Sequence, residues 1–126
     1  MNFFNKKHTI IHSYKHTNSF QERLDESTRI KEKYNDRIPC IVEFDNKELS
    51  LANNKKKYLV PSNLTCGQLM YIVRKQVKLT HEKALFMQLE NGSIPASSNF
   101  IEQLYSINQD EDGFLYFRIF LENTFG

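Results

Sequence analysis

The sequence predicts an α+β fold in which a mixed sheet is covered by helices, and three features carry that reading. Two segments of helical apolar spacing, near residues 19–34 and 65–78, each begin at a Ser/Thr-x-x-Glu/Gln capping pair. The run Ile38 to Phe44 alternates like a strand, and the run Phe114 to Leu121 is apolar on both faces apart from Arg118. The order helix, strand, strand, helix, strand, short helix, strand is, once the leading helix is set aside, the order of a β-grasp.

Residues 1–18 carry Phe3, Phe4 and Tyr14 without a clear period, amid Asn, His, Thr and Ser, and read as a partly flexible N-terminal arm. Ser19 with Glu22 opens the first helix, and Phe20, Leu24, Ile30 and Tyr34 fall within about a 120° arc at 100° per residue. The helix ends before Pro39, because the residue preceding proline disfavours helical geometry. Ile38, Cys40, Val42 and Phe44 alternate with Pro39, Ile41 and Glu43, which predicts a strand with one face well buried and the other partly covered. Asp45 to Lys55 reads as a connection, and Lys57 to Val60 as a second strand stopped by Pro61.

Thr65 with Gln68 starts the central helix, which runs from Cys66 to about Lys78 with Leu69, Ile72, Val73 and Val77 as its stripe. Leu85 to Leu89 is the third strand, and Asn91-Gly92 marks a turn. Asn99 with Glu102 is placed to cap a short helix carrying Phe100, Ile101 and Leu104. The last strand, apolar on both faces, belongs in the middle of the sheet, parallel to the first. The leading helix then covers the face opposite the central helix.

Bulk properties narrow the function. A chain of 126 residues, 40% hydrophobic and 25% charged, is sized for one core. Net charge is only +2, yet residues 1–83 hold 16 of the 17 Lys/Arg and residues 84–126 hold one, so basic and acidic surfaces are expected to oppose each other. Cys40 and Cys66 are too few for a disulfide scaffold and have no metal-site spacing. No run approaches the roughly 20 apolar residues of a membrane span, and Asn5, Lys6, Lys7 and His8 interrupt any signal-peptide core. Cytosolic synthesis is expected, and any membrane attachment must come from something other than side-chain hydrophobicity.

Several segments then match a known pattern in register: Phe20-Gln21-Glu22-Arg23, Ile30 to Tyr34 with Asp36-Arg37-Ile38-Pro39, Lys55 to Pro61, and Leu64-Thr65 with Gly67-Gln68. Arg74-Lys75, Ala84-Leu85-Phe86, Ile94-Pro95, Asp112, Phe114-Leu115-Tyr116 and Phe125-Gly126 continue it, with an apparent insertion near Gly92. Over Phe20 to Gly126 the chain resembles the autophagy-related protein eight family, which includes GABARAP and the light-chain-three proteins. The resemblance implies a ubiquitin-like β-grasp with additional N-terminal helices packed on the sheet, spanning residues 19–126 and ending in a conjugation tail. It implies a modifier rather than an enzyme, with no cofactor. Gly126 is then activated and joined to phosphatidylethanolamine on autophagosomal or vacuolar membranes. The acyl chains supply membrane affinity at about 0.8 kcal/mol per buried methylene. Glycine suits this chemistry because its missing Cβ lets the backbone enter a narrow cleft and leaves the carboxyl unhindered. Implied partners are the activating and conjugating enzymes of autophagy, a delipidating cysteine protease, and proteins bearing aromatic-x-x-aliphatic motifs. No nucleic acid is expected.

The second strand is expected at a sheet edge, where an extended peptide can add as a further strand while its side chains fill pockets. By resemblance, Glu26, Ile30, Pro39, Ile41, Lys57, Leu59 and Phe114 line an aromatic pocket, and Tyr58, Val60, Pro61, Leu64, Leu69 and Ile72 an aliphatic one. Arg37 and Lys55, with Lys56 and Lys57, are placed to attract acidic residues flanking the motif. Periodicity alone reads most of these apolar positions as core. Gln76 stands where GABARAP-like members often carry arginine, and Leu69 replaces a common aromatic, which bears on partner preference.

Three rivals share parts of this sequence. Cys66 near a helix N-terminus suggests a nucleophile, and His8, His12 and His16 repeat at four-residue spacing. The lysine run and aromatic content suggest nucleic acid, but no RNA-binding motif accompanies them. A cytosolic peptide-binding adaptor that is never lipidated uses the same groove, since groove and tail are separate features.

Overall fold

The computed structural model describes residues 13–45, 56–77 and 84–122. Their elements are α1 (Ser13–Thr17), α2 (Phe20–Lys33), β1 (Arg37–Phe44), β2 (Lys57–Pro61), α3 (Cys66–Gln76), β3 (Ala84–Leu89), α4 (Ile101–Asn108) and β4 (Leu115–Glu122). The connection after Asp45 and the segment after Val77 lie largely outside the described residues, as do Lys55 and Gly126.

Both predicted capping boxes form. Ser19 Oγ accepts from the Glu22 amide at 3.1 Å, and Glu22 Oε1 accepts from the Ser19 amide at 2.8 Å. Thr65 Oγ1 and Gln68 Oε1 make the same exchange at 3.2 and 2.9 Å. Each box satisfies two amides that a helix start otherwise leaves unpaired. The capping expectation at Asn99 is corrected. Asn99 Oδ1 turns back to accept from the Ala96 amide at 3.0 Å, so α4 starts later, with the Phe100 amide donating to Gln103 Oε1 at 3.1 Å. Residues 13–17, read without a period in the sequence, are helical.

The sheet order is β2-β1-β4-β3, with β1 parallel to β4 and the outer pairs antiparallel. The last strand is therefore internal and beside the first, and β2 is an edge. Strand alternation sends Cys40, Val42, Leu115, Phe117 and Ile119 to one face, where Leu69 and Val73 of α3 close the main core. Ile41, Phe114 and Tyr116 belong to a second cluster, closed by Ile30 of α2 with Tyr14 and Leu59 packed against it.

β1 is more enclosed than its sequence suggests, for Ile38 through Glu43 are all buried. The reason is that α1 adds to the cover α2 gives through Ile30: Tyr14 sets its ring edge-on to Phe114 at 5.4 Å, and its amide donates to Glu43 at 2.9 Å. Lys56 Nζ lies 3.4 Å from the same carboxylate, so that buried charge is both paired and hydrogen-bonded. Lys15 then ties α1 across the fold, 2.8 Å from Glu90 and 2.7 Å from Asp110.

Candidate functional site

Two backbone hydrogen bonds fix which groups of β2 face outward. The Val42 amide donates to the Lys56 carbonyl at 2.8 Å, and the Ser62 amide donates to the Asp36 carbonyl at 3.1 Å. In an antiparallel ladder, hydrogen-bonded pairs alternate with pairs whose amides and carbonyls point away from each other. With Cys40 opposite Tyr58 and Pro39 opposite Leu59, the backbone groups of Tyr58 and Val60 face β1, whereas those of Lys57 and Leu59 face the open edge. Pro39 fits this register, since it has no amide to offer Leu59. The edge ends at Pro61, whose carbonyl accepts from the Leu64 amide at 3.0 Å.

Beside this edge lies a cavity of about 550 Å³, lined by Glu26, Arg29, Ile30, Lys33, Tyr34, Arg37, Lys57 and Leu59. Helix α2 supplies four of these at spacings of three and four residues, with Tyr34 at its C-cap, and β2 supplies Lys57 and Leu59 from one face of the strand. Ile30 is 4% exposed and forms the apolar base. Behind it, Ile41 and Phe114 are fully buried, and so they support the wall rather than line it. Pro39 is likewise buried.

Four cationic side chains surround one acid. Glu26 receives Lys57 Nζ at 2.7 Å and also pairs with Arg29. Burial, and then the charge of Arg29, push the Lys57 ammonium below its ordinary value. Arg37 Nη1 donates to the Leu59 carbonyl at 3.2 Å, reaching past β2 to its outer edge. The rim is therefore disposed toward anions.

Of the residues assigned to an aromatic pocket, the structure gathers Glu26, Ile30, Lys57 and Leu59 around this cavity, and adds Arg37. Arg29, Lys33 and Tyr34 are further wall residues that sequence reasoning did not assign. Their signal was present in part, for positions 29 and 33 continue from Glu26 at helical spacing, and Tyr34 caps the same helix. The aliphatic set lies between β2 and α3. Tyr58, Val60 and Leu69 belong to the main core with Leu64 packed against it, Pro61 is half-buried, and Ile72 is 39% exposed. Tyr58 donates its hydroxyl to Gln76 Oε1 at 2.6 Å, locking β2 to the end of α3.

A turn seats Phe114 behind the cavity. Asp112, fully buried, accepts from Arg23 at 3.0 Å, from the Tyr116 hydroxyl at 2.5 Å and from the Phe114 amide at 2.9 Å. Gly113 follows at φ +90°, a conformation that favours glycine. Cys66, by contrast, is unsuited to nucleophilic work, since burial pushes its thiol up to about 11. Among the described residues no group of three His, Cys, Asp or Glu is placed to hold a metal, and no helix is long and apolar enough to cross a membrane.

Comparison with known proteins decides the family. Residues 22–126 match the family described as autophagy protein Atg8, ubiquitin-like. The chain belongs to the Atg8 family. It is 48% identical over 114 residues to autophagy-related protein 8A of Oryza sativa, covering 90% of this chain and 95% of that one. It is 47% identical over 116 residues to autophagy-related protein 8d of Arabidopsis thaliana, covering 92% and 96%. Among solved structures, Trypanosoma brucei ATG8 superposes with a TM-score of 0.82 at 37% identity, covering 93% of this chain and all of that one. Plasmodium falciparum Atg8 in complex with an Atg3 peptide from the same organism gives 0.76 at 30% identity, covering 86% and 95%. The mixed four-stranded sheet with its helices is thus the ubiquitin-like fold of Atg8 proteins.

Proposed function

We propose that this Atg8-family protein is a ubiquitin-like autophagy modifier, conjugated through Gly126 to phosphatidylethanolamine, that recruits partners by adding their aromatic-x-x-aliphatic peptides to the edge of β2. The observation that carries the peptide reading is the outward-facing backbone of Lys57 and Leu59 beside a cation-rimmed cavity with an apolar base. An added strand takes its main-chain hydrogen bonds from that edge. Its aromatic side chain enters the cavity between α2 and β2, and its aliphatic side chain, three residues further along and so on the opposite face of the added strand, rests near Pro61, Leu64 and Ile72. Arg37 and Lys55 meet acidic flanking residues. Tyr58, Val60, Leu69, Pro39, Ile41 and Phe114 shape the walls from behind.

The Atg3 peptide bound to the Plasmodium relative supports a peptide site on this fold. It also supports engagement with the conjugation machinery as one use of that site. Conjugation through Gly126 is supported by a family match that runs to residue 126 and by the unhindered carboxyl of glycine. Before the ubiquitin-like domain, α1 steadies the cavity wall through Tyr14 and Phe114.

Two measurements test the two halves. Titration with a peptide of the form acidic-Trp-x-x-Leu should show Leu59→Ala weakening binding by about 1–3 kcal/mol; unaltered affinity would remove Leu59 from the site. Intact mass of protein from the membrane fraction of starved cells should show a lipid-sized addition that Gly126→Ala lacks. A wild-type chain that stays unmodified while still binding peptide would recast it as a non-lipidated adaptor.

A further inference from the structure

We propose that Arg37 gates the edge of β2, holding the carbonyl a docking peptide needs and releasing it to peptides that carry a carboxylate beside their aromatic residue. This rests on the peptide-binding reading of that edge and deepens it, because it makes flanking charge a condition of access rather than a mere attraction.

The Leu59 carbonyl is the outward acceptor at the centre of the short edge strand, and Arg37 Nη1 already donates to it at 3.2 Å. An added strand lies about 4.8 Å from its neighbour. A guanidinium bonded to that outward oxygen therefore stands in the layer the peptide backbone must enter. Arg37 is exposed, so desolvation does not hold it there. What directs it is the make-up of the cavity. Arg29, Lys33 and Lys57 repel it, and Glu26, the one acid on the wall, is held by Lys57 at 2.7 Å and by Arg29.

A peptide carboxylate changes that balance. Charge-assisted pairs are roughly twice as strong as neutral hydrogen bonds, and arginine meets a carboxylate with two parallel donors. An acidic flank thus draws the guanidinium off Leu59 and vacates its carbonyl for the peptide amide. A neutral peptide must break the same bond with nothing offered in return. Arg37 consequently acts in opposite senses on the two peptides, which a simple attractive charge does not do.

The test is calorimetric titration of the intact protein with two peptides that share one aromatic-x-x-aliphatic segment and differ in flank, Asp-Asp against Asn-Asn. Arg37→Ala is used with Arg37→Met, which keeps the apolar stem in case the alanine variant is unstable. Removal of the guanidinium should weaken the acidic peptide and tighten the neutral one, the latter by about threefold, as expected for loss of one competing exposed hydrogen bond. A neutral peptide whose affinity is unchanged or reduced in both variants overturns the gate while leaving the peptide site intact. Failure of the acidic peptide to bind the wild type overturns the site reading, and the gate with it.

Discussion

Replacement of Gly113 by alanine tests the turn that seats Phe114 behind the cavity. At φ +90° a Cβ-bearing residue meets its own backbone, at a cost of roughly 1–2 kcal/mol. The new Cβ would also press directly on Ser27 Oγ and stand 3.0 Å from Ser27 Cβ. Ser27 cannot yield freely. It is 2% exposed, and its hydroxyl donates to the Asp112 carbonyl at 2.5 Å, so displacing it breaks a buried hydrogen bond worth about 1–3 kcal/mol. Together these give a loss of about 2–5 kcal/mol. With a mid-range urea dependence of about 2 kcal/mol per molar for a small domain, the unfolding midpoint should fall by about 1–2.5 M. Adding Ser27→Ala removes the oxygen from the path, so the double variant should lose less than the sum of the two single losses. A Gly113→Ala protein within about 0.5 kcal/mol of wild type, or strictly additive losses, would refute the reasoning.

The clamp that docks α1 should depend on pH at both ends of the scale. Burial raises Asp110, but hydrogen bonds from Lys15 and the Asp112 amide outweigh it and hold the carboxylate below its ordinary 3.8. Its contribution is fully present above 3.8 and is lost as pH falls through the lower value the carboxyl has in the fold. Burial lowers Lys15, but its bonds to Asp110 and Glu90 prevail and hold it above 10.5, so its contribution is lost only as pH rises past that. Urea midpoints of wild type and Lys15→Met should therefore converge only as pH falls well below 3.8 and again only as pH rises well above 10.5, and a difference that is constant across pH would contradict the clamp. Thiol labelling at pH 8 should be slow in the folded state, because burial raises both Cys40 and Cys66, and should reach both on unfolding; rapid labelling of native protein would reopen the nucleophile reading.

Local chemistry was the most legible part of this sequence. Ser19 with Glu22 and Thr65 with Gln68 place two helices because each box closes within four residues. The two-faced apolarity of residues 114–121 placed β4 inside the sheet because only a strand covered on both sides tolerates it. Helix α1 was not legible, since the partner of Tyr14 is Phe114, a hundred residues away, and nothing local records that contact. Asn99 misled because asparagine closes turns as readily as it caps helices, and here it closes its own turn on Ala96.

The candidate site divides along the same line. Spacing from Glu26 carries Arg29, Ile30 and Lys33 to one face, so that wall was within reach of a helical reading, whereas Arg37 reaches the cavity from the start of β1. Periodicity cannot separate a pocket wall from core, which is why Tyr58, Val60 and Leu69 look alike in sequence whichever role they serve. The bond from Arg37 to the Leu59 carbonyl depends on β1–β2 register and edge position together, and no pattern in either segment announces it.

Amide hydrogen exchange on the β2 edge, measured with and without an acidic-Trp-x-x-Leu peptide, tests the central claim most directly. The account predicts that the peptide protects Lys57 and Leu59, whose amides face outward, and leaves Tyr58 and Val60, already directed at β1, little changed. Binding that leaves Leu59 unprotected, or that protects all four alike, would contradict strand addition at this edge.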